Sequence, residues 1–71
     1  MRKLEHNEEG MPVVFIVYDK GRQINGDYHR CAVFRNSDNA KAYIDLRKGT
    51  QPSLYVACQV AQPFDYSVLR D

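Results

Sequence analysis

The residues best suited to metal chemistry in this chain are its two histidines and two cysteines. His29 and Cys31 lie two positions apart, so on a β-strand their side chains point to the same face. Together with Cys58 and His6 they would supply four ligands of the kinds that zinc prefers. No Cys-x-x-Cys or His-x-x-x-His spacing supports such a site. We therefore predict no metal site and no cofactor, and interpret both cysteines as small apolar side chains.

No other group of residues predicts an active site. A cysteine nucleophile needs an activating histidine and a third group that orients it, and His29 on a flat strand does not form a pocket. Asp38 and Asp45 share a helix face but lie about 10 Å apart, too far to share a proton. Gly21 and Gly26 are not followed by the Lys and Ser or Thr of a phosphate-binding loop. We predict that the chain is not an enzyme.

Size and charge exclude several classes of protein. The chain has 71 residues, with ten Lys and Arg against nine Asp and Glu, for a net charge of +1. This balance does not match a protein whose main partner is a phosphate backbone. No apolar run approaches the roughly 20 residues that span a bilayer, and the first residues lack the apolar segment of a signal peptide. Two cysteines do not make a disulfide scaffold, so we expect a cytoplasmic protein with no membrane partner.

The first half of the chain predicts an arm and two strands. Residues 1–11 are polar and carry no hydrophobic period, which is typical of a flexible N-terminal arm; residues 12–71 form a single mini-domain. The apolar run from Val13 to Tyr18 predicts a central strand. Residues 19–27 are a turn region with two candidate apices, Lys20-Gly21 and Asn25-Gly26, of which Asn-Gly is the stronger hairpin signal.

The second strand is predicted over residues 28–35. Its alternation places Tyr28, Arg30, Ala32 and Phe34 on one face, and His29, Cys31, Val33 and Arg35 on the other. We expect the face of Ala32 and Phe34 to meet a helix, because Phe34 is the largest apolar residue next to the predicted helix start. Tyr28 and Arg30 would then lie at the rim of that same face.

A strand-to-helix junction follows, and it is the best-marked feature of the sequence. Asn36, Ser37 and Asp38 are all good N-cap residues. The helix is predicted from Ser37 to Lys48, with Gly49 as its C-cap. A third strand follows over residues 54–60. It points Leu54, Val56, Cys58 and Val60 inward and Tyr55, Ala57 and Gln59 outward.

These elements predict an α+β fold in the order β-β-α-β. A three-stranded antiparallel sheet carries one helix packed on one face, and the third strand lies beside the first, on the side away from the second. The alternation of Phe64, Tyr66 and Val68 predicts a short fourth strand or an extended segment. Because such a sheet has an open face and a free edge, self-association into a homo-oligomer is one expected use of this surface.

The aromatic residues are compatible with two kinds of partner, a nucleic acid and a protein. The chain has five tyrosines and three phenylalanines, and the run from Arg30 to Phe34 is similar to the aromatic strand on which RNA-recognition sheets stack bases. That run lacks the glycine and the second exposed aromatic residue of such strands. Tyr55 and Arg35, predicted on the open face, could stack a base or a partner's side chain. Tyrosine and arginine equally anchor protein interfaces, which requires no net positive charge.

One resemblance is carried by the junction Val33-Phe34-Arg-Asn-Ser-Asp-Asn-Ala40-Lys-Ala-Tyr43-Ile44. It resembles a Val-Phe-x-x-x-x-x-Ala-x-x-x-Ile pattern in small uncharacterised proteins of bacteriophages, prophages and their hosts. The resemblance covers roughly residues 13–60, and Arg35 and Asn36 replace the small hydroxyl residues usual there. It implies a compact accessory protein, encoded by a phage or prophage, that acts by binding; it carries over no catalytic residue.

The sequence thus favours a small non-enzymatic protein-binding module, acting in a phage setting as a modulator or inhibitor of a host protein. The alternative is a nucleic-acid-binding or regulatory protein that uses the open sheet face. The expected binding residues are exposed, and they lie on that face, at its rim or in the adjoining loop: Tyr28, Arg30, Arg35, Tyr55, Gln59, Lys20 and Arg22.

Overall fold

A computed structural model describes residues 4–70 and confirms the α+β class. One mixed sheet of five strands carries two helices. Within the described residues, neither helix is long and apolar enough to cross a membrane. The elements in chain order are β1 (Glu5–His6), β2 (Pro12–Ile24), β3 (Asp27–Phe34), α1 (Ser37–Arg47), β4 (Leu54–Val60), α2 (Pro63–Val68) and β5 (Leu69–Arg70).

The sheet is organised around β2. Residues Phe15 to Val17 pair with β3 on one edge and with β4 on the other, and both pairings are antiparallel. Val13 pairs with both β1 and β4, so β1 lies on the same edge of β2 as β3. The predicted place of the third strand, beside the first and away from the second, is confirmed. The side chains of Val14, Ile16 and Val17 have no exposed surface, as a strand covered on both faces requires.

The predicted turn region over residues 19–27 is mostly strand, which corrects the sequence interpretation. β2 continues to Ile24, and only Asn25-Gly26 forms the turn, with φ values of 53° and 87°. These positive values are those of the hairpin turn that Asn-Gly favours. Lys20-Gly21 lies within an irregularity of the β2–β3 pairing, where the Gly21 N–H donates to Asp19 Oδ1 at 2.8 Å.

A bulge in β3 changes the faces of that strand. Ala32 pairs with Val17 and Arg30 pairs with Tyr18, so Cys31 is an extra residue without a partner on β2. Strict alternation ends at such a bulge. Arg30 therefore lies on the face opposite Ala32, and the prediction that Tyr28 and Arg30 share the face of Ala32 and Phe34 is wrong. The prediction that Ala32 and Phe34 meet the helix is confirmed.

The helix begins where the sequence predicts. The side chain of Asn36 accepts a hydrogen bond from the Asn39 N–H at 2.9 Å, which marks Asn36 as the N-cap. The helix ends at Arg47, one residue earlier than predicted, and Lys48 is the C-cap. The predicted glycine cap is wrong, because Gly49 does not adopt a positive φ; the Arg47 carbonyl instead accepts from Thr50 N at 3.0 Å and Gln51 N at 2.7 Å.

The segment before β2 has more structure than its composition suggests. Residues 1–3 of the predicted arm lie outside the described part. β1 pairs with the start of β2, and the Asn7 side chain accepts N–H bonds from Glu9 and Met11, each at 3.0 Å. Leu4 packs on the core. The pairing corrects the expectation that this segment lacks regular structure, and the reason is that two residues of strand are too few to show a period.

The core has two layers, one on each face of the sheet. Ala40 of α1 packs with Val17, Ala32, Phe34 and Leu54, and these five side chains are all buried. On the opposite face, Val14, Ile16 and Val33 pack with the chain that follows β4, including Ala61 and Leu69. Phe64, Tyr66 and Val68, whose alternation predicted a short strand or an extended segment, lie instead in α2, which corrects that prediction. A two-residue strand, β5, follows them and pairs parallel to β3 at Val33 and Phe34. The turn of helix α2 before it was not predicted.

The cap of α1 makes a first prediction. Asn36→Ala removes the bond to the Asn39 N–H and should lower the free energy of unfolding by about 1 kcal/mol, a Tm decrease of about 4–8 °C for a domain of this size. Ser37→Ala, at the first helical position, is the matched control and should change Tm little. Thermal unfolding followed by circular dichroism measures both. An equal loss in the two variants would contradict the assignment of the cap.

Candidate functional site

Three tyrosines from three strands meet on the face of the sheet away from α1. Tyr18 of β2 pairs with Tyr55 of β4, and their rings stack with centroids 5.6 Å apart and planes inclined by 26°. The bulge at Cys31 brings Tyr28 of β3 to the same face, where its ring meets that of Tyr55 edge-on at 6.1 Å. Both arrangements are favourable ones for aromatic pairs. The cluster is held by sheet register, since each tyrosine comes from a different strand.

These rings form one wall of a shallow open cavity of about 490 Å³, here called the tyrosine groove. The Lys20 ammonium lies over the Tyr55 ring, 4.9 Å from its centroid, in a cation–π contact. The groove thus combines exposed aromatic surface with amide, phenol and charged groups that can hydrogen-bond. Its lining residues are Tyr18, Asp27, Tyr28, Arg30, Tyr55, Ala57, Gln59 and Gln62.

Arg30 is held at the groove by a buried carboxylate. Arg30 Nη2 donates to Asp65 Oδ1 at 2.8 Å, and the Asp65 side chain is only 2% exposed whereas that of Arg30 is 39% exposed. The other carboxylate oxygen, Oδ2, accepts the Gln62 N–H at 2.8 Å, which closes the first turn of α2. Asp65 therefore fixes two things at once, the start of α2 and the position of the Arg30 guanidinium.

The Tyr55 phenol of the groove is uncharged at neutral pH. Partial burial raises the pKa of Tyr55 above its ordinary value of 10.0, and the neighbouring phenols of Tyr28 and Tyr18 raise it further. A raised pKa keeps the hydroxyl protonated, so Tyr55 can both donate and accept hydrogen bonds.

The structure brings together four of the seven residues that the sequence singles out: Tyr28, Arg30, Tyr55 and Gln59. Lys20 lies at the margin, over Tyr55. Arg22 and Arg35 do not line the groove. Arg22 lies close enough to Cys31 to lower its pKa, and Arg35 is half-buried in the connection between β3 and α1, where it has a partner of its own.

Sequence reasoning missed Tyr18, Asp27 and Gln62, which also line the groove. Tyr18 was part of the apolar run and was counted only as strand. A signal was available, because the predicted placement of β4 beside β2 allows Tyr55 to lie opposite Tyr18. Asp27 is the first residue of β3, and Gln62 lies in the β4–α2 connection. No pattern in the sequence predicts that these two side chains reach the groove.

The two cysteines have different surroundings. Cys58 lies on the α1 side of the sheet, as predicted, but it is exposed rather than inward. Cys31 is half-buried at the bulge, and burial raises its pKa above the ordinary value of 9.0. The Asp19 carboxylate raises it further, whereas the positive charges of Arg22 and Arg47 oppose the shift. Among residues 4–70, no group of three or more His, Cys, Asp and Glu side chains is placed to hold a metal ion.

Comparisons of this chain with protein-family models, with curated proteins and with solved structures found no match. The chemistry of the surface is therefore the basis for a functional proposal. That surface offers stacking, hydrogen bonding and one fixed guanidinium.

The Asp65 contacts make a second prediction. Asp65→Ala leaves Arg30 without its carboxylate and Gln62 without its acceptor, and should lower the free energy of unfolding by about 2–3 kcal/mol, because hydrogen bonds to charged groups are the stronger class. Asp45→Ala is the matched control, since Asp45 meets Lys48 at 3.8 Å on an exposed helix surface. It should cost less than about 0.5 kcal/mol. Urea denaturation measures the free energy of unfolding of both variants. Equal losses would show that the buried Arg30–Asp65 pair stabilises the fold no more than the exposed Lys48–Asp45 pair does.

The cysteine surroundings make a third prediction. Iodoacetamide at pH 8 should modify Cys58 several-fold faster than Cys31, because Cys31 is less accessible and its raised pKa leaves less of the reactive thiolate. Mass spectrometry of peptides from the labelled chain measures the two rates. In urea the rates should converge, since unfolding removes both causes. Equal rates in the folded chain would be inconsistent with the described burial of Cys31.

Proposed function

We propose that this chain is a small non-enzymatic protein-binding module whose tyrosine groove docks on a protein partner. Tyrosine and arginine are among the side chains that most often dominate protein interfaces, and tyrosine offers large contact area with little loss of conformational entropy. Three tyrosines and Arg30 converge here on one face. The observation that carries the proposal is that these tyrosines meet on the part of this face that the chain from Ala61 to Leu69 leaves open, with Tyr28 exposed and Tyr18 and Tyr55 only half-buried.

The charges of the groove favour a protein partner over a nucleic acid. Arg30 is neutralised by Asp65, and Asp27 places a second carboxylate in the lining. Lys20 is the remaining cation, and it already contacts Tyr55. A phosphate backbone is bound through several cations that replace its counterions. A nucleic-acid or regulatory role remains the alternative, supported by the stacking rings alone.

A phage or prophage setting is part of the proposal and is supported by the resemblance at the Val33–Ile44 junction. In that setting the chain would act in the cytoplasm as a modulator or inhibitor of a host protein. A binder of this size works by covering a surface of its target, so one chain would act on one target molecule. A second copy of the chain is the other protein partner that this surface could meet.

The fourth prediction tests the groove. Tagged wild-type chain, Tyr55→Ala and Leu46→Ala are used to capture proteins from lysate of the source cell, and the captured protein is purified for affinity measurement. Leu46 is the matched control, because it is 88% exposed on α1, away from the groove. Tyr55→Ala should weaken binding at least tenfold, as expected for an interface anchor, whereas Leu46→Ala should bind as the wild type does.

Salt dependence separates the two kinds of partner. Affinity for a protein docked on the groove should change little between 50 and 200 mM salt. A loss of affinity by several orders of magnitude over that range, together with nucleic acid in the captured material, would support the alternative. Capture that is insensitive to Tyr55→Ala would exclude the groove as the docking surface. Thermal unfolding of each variant checks that a loss of binding is not a loss of fold.

A further inference from the structure

The outer edge of β3 is only partly paired. β5 pairs with β3 at Val33 and Phe34 alone. Within residues 4–70, no strand pairs with the Asp27–Ala32 stretch on that edge. Unpaired N–H and C=O groups along an exposed edge can pair with another chain. The edge is therefore a place where an additional strand can be added.

A slot of about 280 Å³ lies between this edge and α2. Four consecutive residues, Arg30 to Val33, line it. Arg30 and Val33 lie on one face of the sheet and Ala32 on the other, so a cavity that touches all of them runs along the backbone edge and not over one face. Phe64 and Val68 of α2 line the opposite side, and both are exposed. The slot thus offers a backbone edge and an apolar wall.

Positive charge surrounds the slot. Arg30 and Arg70 line it, and Arg70 also lies 5.7 Å from the centre of the Tyr43 ring. Arg47 lies 4.3 Å from the centre of the same ring. In the described part of the chain, neither Arg47 nor Arg70 has a carboxylate partner. Two guanidinium groups therefore share one ring, and neither is paired with a carboxylate among residues 4–70.

Carboxylates also lie near the slot, but none of the described ones pairs with Arg70. Arg22, Arg47 and Asp19 are all near enough to Cys31, which lines the slot, to influence it electrostatically, and the Asp19 carboxylate opposes the two arginines. Asp65 is bonded to Arg30, which leaves Arg70 as the arginine of the lining without such a partner among the described residues. An anion placed at the Arg70 end of the slot would be attracted by that guanidinium and by Arg47, which contacts the same ring.

We propose that the outer edge of β3 binds an extended acidic segment of a protein partner as an additional strand. The segment would pair its backbone with the Asp27–Ala32 edge, place an apolar side chain against Phe64, and bring Asp or Glu side chains to Arg70. Strand addition of this kind draws affinity from the backbone and specificity from alternate side chains. A nucleic acid lacks the alternating N–H and C=O groups that such an edge pairs with.

This inference rests on the proposed protein-binding function and names the chemistry of the partner. Arg30 lines both the tyrosine groove and the slot, so the two surfaces are continuous. A partner could lie on the groove with a folded surface and insert one extended segment at the edge of β3.

The fifth prediction uses a displayed library of random octapeptides, selected against the full chain at 150 mM salt. We expect the selected peptides to be enriched in Asp and Glu, and one selected peptide is then synthesised as the probe. Arg70→Glu should weaken probe binding at least tenfold. Lys41→Glu, which makes the same charge change on the exposed surface of α1, should weaken it less than twofold. Amide hydrogen exchange with the probe bound should slow within Asp27–Ala32.

Three results would overturn the inference: no selected peptide, selected peptides without acidic enrichment, or exchange protection at the groove residues of β4, Tyr55, Ala57 and Gln59, instead of within Asp27–Ala32. The last of these would leave the proposed function intact while moving the peptide site. A doubled mass on sedimentation without any bound peptide, together with slowed amide exchange within Asp27–Ala32, would overturn the inference as well, because a second copy would then occupy the edge. Failure of the proposed function is recognised separately, by lysate capture that does not depend on Tyr55.

Discussion

The burial of β2 on both faces is the constraint on which the rest of this structure depends. Phe15 to Val17 pair with strands on both edges, and side chains on both faces of β2 are covered. In a chain this short, no other element could be buried so completely, since a small domain covers only about 60% of the surface of its unfolded chain. The remaining elements are arranged around this strand, and each covers one edge or part of one face.

That arrangement leaves half of one face uncovered. α1 covers one side of the sheet, and the chain from Ala61 to Leu69 covers only the Val14, Ile16 and Val33 end of the other. The tyrosines lie on the remaining half. Aromatic rings that stack on each other tolerate such partial exposure, because each ring shields its neighbour while its hydroxyl stays in water. The groove is thus the part of this face that the described elements leave open.

Local departures from regular structure define the candidate surfaces. The bulge at Cys31 moves Tyr28 and Arg30 to the open face, and the buried Asp65 carboxylate then holds Arg30 there. β5 pairs with only two residues of β3, and the edge left over adjoins the arginines. Each of these features weakens regular pairing or burial. Together they produce the exposed, chemically varied surface that the proposed binding function uses.

The sequence by itself determined the elements whose signals are local. The apolar run marked β2, Asn25-Gly26 marked the hairpin turn, and Asn36 marked the start of α1, because strand burial, positive φ and N-capping each depend on a few adjacent residues. Only the tertiary structure decided which residues share the groove and the slot. The bulge at Cys31 depends on pairing with β2, and the Arg30–Asp65 bond joins residues 35 positions apart. Such contacts follow from the packing of distant segments, which no local pattern specifies.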